Sequence, residues 1–100
     1  MGPGNDASVD IGPLISPEAL RRAESIIAAS VDGGAKLVLD GRKPSVPAGF
    51  ERGNFIGPTI ISGVDPLKSP AYCEEIFAPV LTVVTVDTLD EAIALVNSNP

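Results

Sequence analysis

The sequence predicts an α/β fold, with two helices packed on a sheet of about three strands. Three observations point to it. Two stretches carry apolar residues at spacings of three and four behind a good capping residue, the pattern of helices with one buried stripe. Three short runs of Val, Ile, Leu and Thr are bounded by Gly, Pro, Asn or Asp, as strands are. The first helix also passes through a glycine pair directly into one of those runs, which is the αβ half of an α/β unit.

Length and composition suit one globular domain. A chain of 100 residues buries about two-thirds of its unfolded surface, enough for a modest core. Hydrophobic residues make up 44% and aromatics only 4%, so that core rests on Val, Ile, Leu and Ala. Seven basic residues against thirteen acidic ones give a net charge of −6. The only adjacent basic pairs are Arg21-Arg22 and Arg42-Lys43, which argues against a nucleic-acid footprint and against a polybasic membrane patch. No apolar run approaches the ~20 residues of a membrane span. With one cysteine and no histidine, the chain cannot form an internal disulfide, a Cys/His zinc site or a Ser-His-Asp triad. Cys73 abuts two carboxylates, whose charge disfavours a thiolate, and reads as a small half-buried residue.

Residues 1–10 are rich in Gly, Pro, Asn, Asp and Ser and read as a loop or flexible arm. Ser16-Pro17 is a helix start: serine suits the N-cap, proline the first helical position, and Glu18 the positive end of the dipole. Leu20, Ala23, Ile27 and Val31 form the stripe, with Arg21, Arg22 and Glu24 outside it. Asp32-Gly33-Gly34 ends the helix, so the spacing predicts Pro17 to Asp32. Ala35 to Asp40 reads as a strand stopped by Gly41. The glycine pair follows a helix and precedes a strand, the reverse of a phosphate-binding turn.

Arg42 to Asn54 is a long loop with room for a short hairpin. Phe55 to Ile61 is the second strand, with Pro58 marking an edge or irregularity. Gly63 to Tyr72 is turn-rich, and a single helical turn is expected near Pro70 to Glu74. Val80 to Val86 reads as a buried third strand. Thr88-Leu89-Asp90-Glu91 is a capping box opening a second full helix, Leu89 to Asn97, with Leu89, Ala92, Ile93 and Val96 on its apolar face. The expected core comprises Leu20, Ile27, Val31, Val38, Ile60, Ile61, Val80, Leu81, Val83, Ile93 and Val96.

The stretch Glu74-Glu75-Ile76-Phe77-Ala78-Pro79-Val80 carries the chemistry. It lies on a loop feeding a strand, where rigidly held binding groups are common. A carboxylate can accept hydrogen bonds from two adjacent hydroxyls, as on a ribose, and an aromatic ring can cover a flat heterocycle. From residue types alone the commoner outcome is a solvated acidic turn with Phe77 in the core, and both readings stay open at this level.

These seven residues resemble the Glu-Glu-Ile-Phe-Gly-Pro-Val signature of the NAD(P)-dependent aldehyde dehydrogenase superfamily. Gly12-Pro13-Leu14-Ile15-Ser16, Gly33-Gly34, Gly57-Pro58-Thr59-Ile60 and Leu89-Asp90-Glu91-Ala92-Ile93 also follow the family's order and approximate spacing, so the resemblance covers about residues 11 to 100. It implies that Glu75 holds the nicotinamide-side ribose of NAD and that Phe77 packs near the nicotinamide. Ala78 stands where the family usually has glycine. Its Cβ disfavours positive φ, which would weaken or re-pose the cofactor if the backbone there must come close to it.

Gly53 to Ile61 and Val96 to Pro100 are most similar to the branch that oxidises methylmalonate or malonate semialdehyde to acyl-CoA, propionyl-CoA or acetyl-CoA. That branch uses NAD, takes coenzyme A as co-substrate and releases carbon dioxide. The resemblance implies a homo-oligomer, sited in a mitochondrial matrix or a bacterial cytoplasm, with any targeting region upstream of Met1. It also implies that residues 11–100 are an internal part of a larger catalytic domain, lying after the nucleophilic cysteine and apart from the oxyanion-stabilising asparagine. No catalytic residue is therefore assigned within the chain, which is expected to be inert by itself. Two rival readings are a piece of a hydrolytic aldehyde dehydrogenase and a non-catalytic α/β assembly module.

Overall fold

The structure, a computed structural model, describes residues 1–100. Six elements follow in chain order: α1 (Pro17–Asp32), β1 (Lys36–Leu39), β2 (Thr59–Ser62), α2 (Pro70–Cys73), β3 (Val80–Val83) and α3 (Leu89–Asn97). Both long helices begin and end where their caps predict, and α2 is the single turn expected near Pro70.

Local signals account for the bounds of α1. Ser16 is extended and its Oγ accepts the Ala19 amide at 3.1 Å, with Pro17 behind it. At the other end the Gly34 amide donates to Val31 and the Ala35 amide to Ser30, both at 3.0 Å. That pair of bonds is a Schellman motif. It needs a residue of positive φ just past the helix, supplied by Gly34 at φ 102°.

The sheet order is β1-β2-β3. β1 runs antiparallel to β2 with an irregularity between Leu37 and Leu39, and β3 runs parallel to β2. The link from β2 to β3 carries α2, as a parallel pair requires a crossover. β2 begins only at Thr59, four residues later than expected. Gly57 spends its amide on the Gly41 carbonyl, and Pro58 has no amide to give.

Register separates the two faces of the sheet. Leu37, Ile61 and Thr82 lie side by side on one face, and Leu39, Ile60 and Leu81 on the other. α1 and α2 cover the first face. There Ile27, Ile56 and Ile61 are fully buried, joined by Ala23, Ile26, Val64 and Ala71. Each large side chain so buried contributes about 1.5–3 kcal/mol.

Several expected core residues lie elsewhere. Val38 is 55% exposed, Leu81 58% and Val96 69%, and Val83 and Ile93 are also exposed. The expectation of a strand buried on both faces from Val80 to Val86 is corrected: β3 ends at Val83 and alternates half-buried with exposed. A continuous apolar run implies cover on both faces, and these residues provide cover for only one. Buried instead are Phe55, Ile56 and Val64, which stand outside the strands. No hairpin forms between Arg42 and Asn54. Turns closed by Phe50 on Pro47 and by Gly53 on Phe50 occupy that loop.

α3 buries no residue. It is tied down by polar bonds: the Tyr72 hydroxyl donates to the Leu95 carbonyl, and the Asn99 side-chain amide donates to the Tyr72 carbonyl, both at 3.1 Å. Its cap differs slightly from a capping box. Thr88 Oγ1 accepts the Glu91 amide as expected, but the Glu91 carboxylate reaches one residue further, to the Asp87 amide at 2.9 Å. No helix is long and apolar enough to cross a membrane. Residues 1–10 form turns, with the Gly2 amide bonded to the Ile11 carbonyl at 3.2 Å.

Candidate functional site

The loop from Glu74 to Pro79 joins α2 to β3, and its placement starts two elements away. α2 is too short to stand alone, and its N-cap residue Ser69 makes no capping bond of its own. Ser30 on α1 does this instead. Its buried Oγ accepts the Ala71 amide at 3.1 Å and lies 3.2 Å from Ser69 Oγ. Thr82 Oγ1 donates to the Ala71 carbonyl at 2.8 Å, tying α2 to β3. Two hydroxyls, one from α1 and one from β3, thus hold the two backbone groups of a single α2 residue, Ala71, just ahead of the loop.

Arg22 on α1 grips the loop itself. Its Nη2 donates to the Glu74 carboxylate at 3.1 Å and its Nη1 to the Ile76 carbonyl at 3.0 Å. The Ile76 side chain packs against the core. Downstream, the Thr59 amide donates to the Pro79 carbonyl at 2.9 Å, where the loop enters the sheet. Between these anchors Phe77 takes φ 53°, a left-handed conformation that costs a bulky residue about 1–3 kcal/mol. Phe77 is 82% exposed and so is not a core residue.

Glu74 and Glu75 have different roles. Glu74 is committed to Arg22, whereas Glu75 is exposed and enters none of the ion pairs. Glu75 and Phe77 share an open cleft of about 590 Å³ with Ala19, Arg22, Glu74 and Ile76. The cleft joins an unpaired carboxylate to an uncovered aromatic face, a pairing suited to a sugar bearing two hydroxyls and a planar ring. The left-handed residue of the signature is Phe77, and Ala78 is not among the positive-φ positions. The methyl group at residue 78 therefore adds no backbone strain.

Sequence reasoning singled out Glu75 and Phe77, which the structure brings into one cleft, and passed over Arg22, which had read only as a residue off the apolar stripe. Its partners lie 52 and 54 residues away, beyond any local pattern. Cys73 is half-buried as expected, its Sγ 3.6 Å from the Pro66 carbonyl oxygen. A second cleft, of about 600 Å³, is lined by Arg21, Glu24, Asp40, Arg42 and Lys43 among others. The Arg42 guanidinium donates to Asp40 at 2.8 and 2.9 Å and holds its carboxyl below the usual aspartate range. Much of the charge lining that cleft is thus already neutralised.

A three-stranded mixed sheet covered by α1 and α2, with an acidic–aromatic loop at the head of a parallel strand, is the architecture of part of an aldehyde dehydrogenase. The chain belongs to that family, whose sequence profile matches residues 1–100. It is 52% identical over 97 residues to the human methylmalonate-semialdehyde/malonate-semialdehyde dehydrogenase [acylating], mitochondrial, covering 97% of this chain and 18% of the human protein. The crystal structure of methylmalonate-semialdehyde dehydrogenase from Oceanimonas doudoroffii superposes with a TM-score of 0.89 at 40% identity, over 98% of this chain and 20% of that one. The Mycobacterium tuberculosis aldehyde dehydrogenase complexed with NAD+ superposes with a TM-score of 0.83 at 42% identity, over 97% and 19%. The chain thus spans less than a fifth of the curated relatives' length.

Proposed function

We propose that residues 11–100 are part of the catalytic domain of an NAD-dependent, CoA-acylating malonate- or methylmalonate-semialdehyde dehydrogenase, with residues 1–10 as a connecting arm. One observation carries the reading: Glu75 and Phe77, both within the family signature, have exposed side chains without a partner on a loop pinned on both sides, whereas the exposed Glu74 is paired with Arg22. An unpaired carboxylate beside an open aromatic face fits the nicotinamide–ribose end of NAD. Nothing in the chain fits the pyrophosphate, since no glycine-rich strand-to-helix turn is present.

NAD, when bound, accepts the hydride as the aldehyde is oxidised. The residues of this chain bind and orient. Glu75 accepts hydrogen bonds from the ribose hydroxyls and fixes the sugar. Phe77 lies along the nicotinamide and limits its tilt. Arg22 occupies Glu74, leaving Glu75 alone to meet the sugar. The nucleophile and the coenzyme A contacts lie in the rest of the protein. The chain alone is inert, and the whole enzyme is a homo-oligomer of the mitochondrial matrix or, in a bacterium, of the cytoplasm.

The test is NADH formation by the full-length enzyme with malonate semialdehyde, with and without coenzyme A, beside the same assay on residues 1–100. Strict dependence on coenzyme A, with no activity in the short chain, is the expected result. NADH formed without coenzyme A would move the enzyme to the hydrolytic branch. NADH formed by residues 1–100 alone would overturn the placement of the nucleophile. No NADH from the full-length enzyme under either condition would favour an assembly module.

A further inference from the structure

We propose that Arg22 is a positioning residue for cofactor binding, setting the presentation of Glu75 and Phe77 without touching the cofactor's reacting atoms. The inference rests on the reading of those two residues as cofactor contacts.

The geometry is specific. The two groups that Arg22 holds, the Glu74 carboxylate and the Ile76 carbonyl, flank Glu75 in the chain, and the second immediately precedes Phe77. The guanidinium therefore spans the peptide units from which both contacts project. A planar fork with two donors meets two acceptors in fixed relation, which the single ammonium of lysine does not reproduce. The need for such an anchor is visible at Phe77, whose φ of 53° persists only where the surroundings over-determine it. The anchors on its two sides are Arg22 at Ile76 and the Thr59 amide at Pro79.

Burial separates positioning from simple stabilisation. The Arg22 and Glu74 side chains are 45% and 51% exposed, and ion pairs this open add little to stability. Loss of Arg22 should then leave the fold standing and free the loop. A helix residue placed only to stabilise the fold would show the opposite pattern.

The experiment compares the full-length enzyme with Arg22→Ala, Arg22→Lys, Glu74→Ala and Glu75→Gln. It measures NAD affinity by calorimetry, unfolding temperature, and amide exchange across residues 74–79 in the absence of NAD. Arg22→Ala should weaken NAD binding about tenfold, since small misplacements of binding groups cost this much or more. It should speed exchange in the loop and leave the unfolding temperature within about 2 °C. Arg22→Lys should recover only part of the affinity. NAD affinity unchanged in Arg22→Ala but weakened in Glu75→Gln would overturn the role of Arg22 and leave the cofactor reading standing. Affinity unchanged in both would overturn that reading and this inference with it. If Arg22→Ala does not fold, Glu74→Ala removes one anchor from the loop side, and unchanged NAD affinity in that variant overturns the proposal.

Discussion

The Gly57 amide donates to the Gly41 carbonyl at 2.7 Å, a close backbone crossing that carries the β1–β2 pairing beyond its last strand residues. The Gly41 amide meanwhile bonds to the buried Thr59 Oγ1 at 3.0 Å. A Cβ on Gly41 would run into the Gly57 carbonyl and the Pro58 carbonyl oxygen. Gly41→Ala is therefore expected to destabilise the fold by about 1–3 kcal/mol through overpacking. Urea unfolding of wild-type and variant full-length protein checks this, and an unchanged midpoint would contradict the crossing.

Ser30 offers a second measurement. Its hydroxyl accepts the Ala71 amide inside the core, so Ser30→Ala leaves a buried donor unpaired. The expected loss is about 1–3 kcal/mol. Ser30→Thr should retain part of the bond at the cost of crowding. Because α2 feeds the signature loop, amide exchange of residues 71–77 should rise in Ser30→Ala. A change confined to α1 would show that the hydroxyl does not organise α2.

Phe77 is strained and exposed, so stability and binding should move in opposite directions there. Phe77→Gly relieves the left-handed conformation and should add about 1 kcal/mol to stability. It should also weaken NAD binding. Calorimetry and thermal unfolding of the same variant read both. Weaker binding with lower stability would mean that the ring packs within the fold.

The Asp40 carboxyl lies below the usual aspartate range because Arg42 donates to it. A carboxylate whose folded value is depressed contributes stability above its unfolded value, near pH 4. That contribution is lost as the pH falls through the folded value. The pair is partly exposed and screened by solvent, so the effect is about 0.5 kcal/mol. NMR titration of the Asp40 carboxyl should show it rising towards the ordinary value in Arg42→Ala. No movement would remove Arg42 as the cause.

Residues 1–100 alone display two uncovered apolar surfaces, one of Leu39, Leu81 and Val83 on the sheet and one of Leu89, Ile93 and Val96 on α3. Such patches bind hydrophobic dyes and promote self-association. Light scattering of the isolated chain should show association that Leu81→Lys and Val96→Lys reduce. A clean monomer with sharp unfolding would favour an autonomous module.

The two long helices were legible because their signals are local. Ser16-Pro17, Asp32-Gly33-Gly34 and Thr88 with Glu91 act within four residues, and the backbone follows them. Glu75 and Phe77 were legible only through their resemblance to a known signature. Which face of each strand is covered was not legible, because Val38, Leu81 and Val83 have the same apolar character as Ile61.

By itself the sequence determined the helices, their caps, the α/β class and the acidic–aromatic stretch, all set by neighbours in the chain. Tertiary structure alone decided that Ile61 is buried and Leu81 open, that Ser30 caps a helix 40 residues on, and that Arg22 takes Glu74 and leaves Glu75 free. The reason is range: burial and hydrogen-bond partners depend on which segments meet in space. Nothing near Arg22 in the chain specifies a carboxylate 52 residues away.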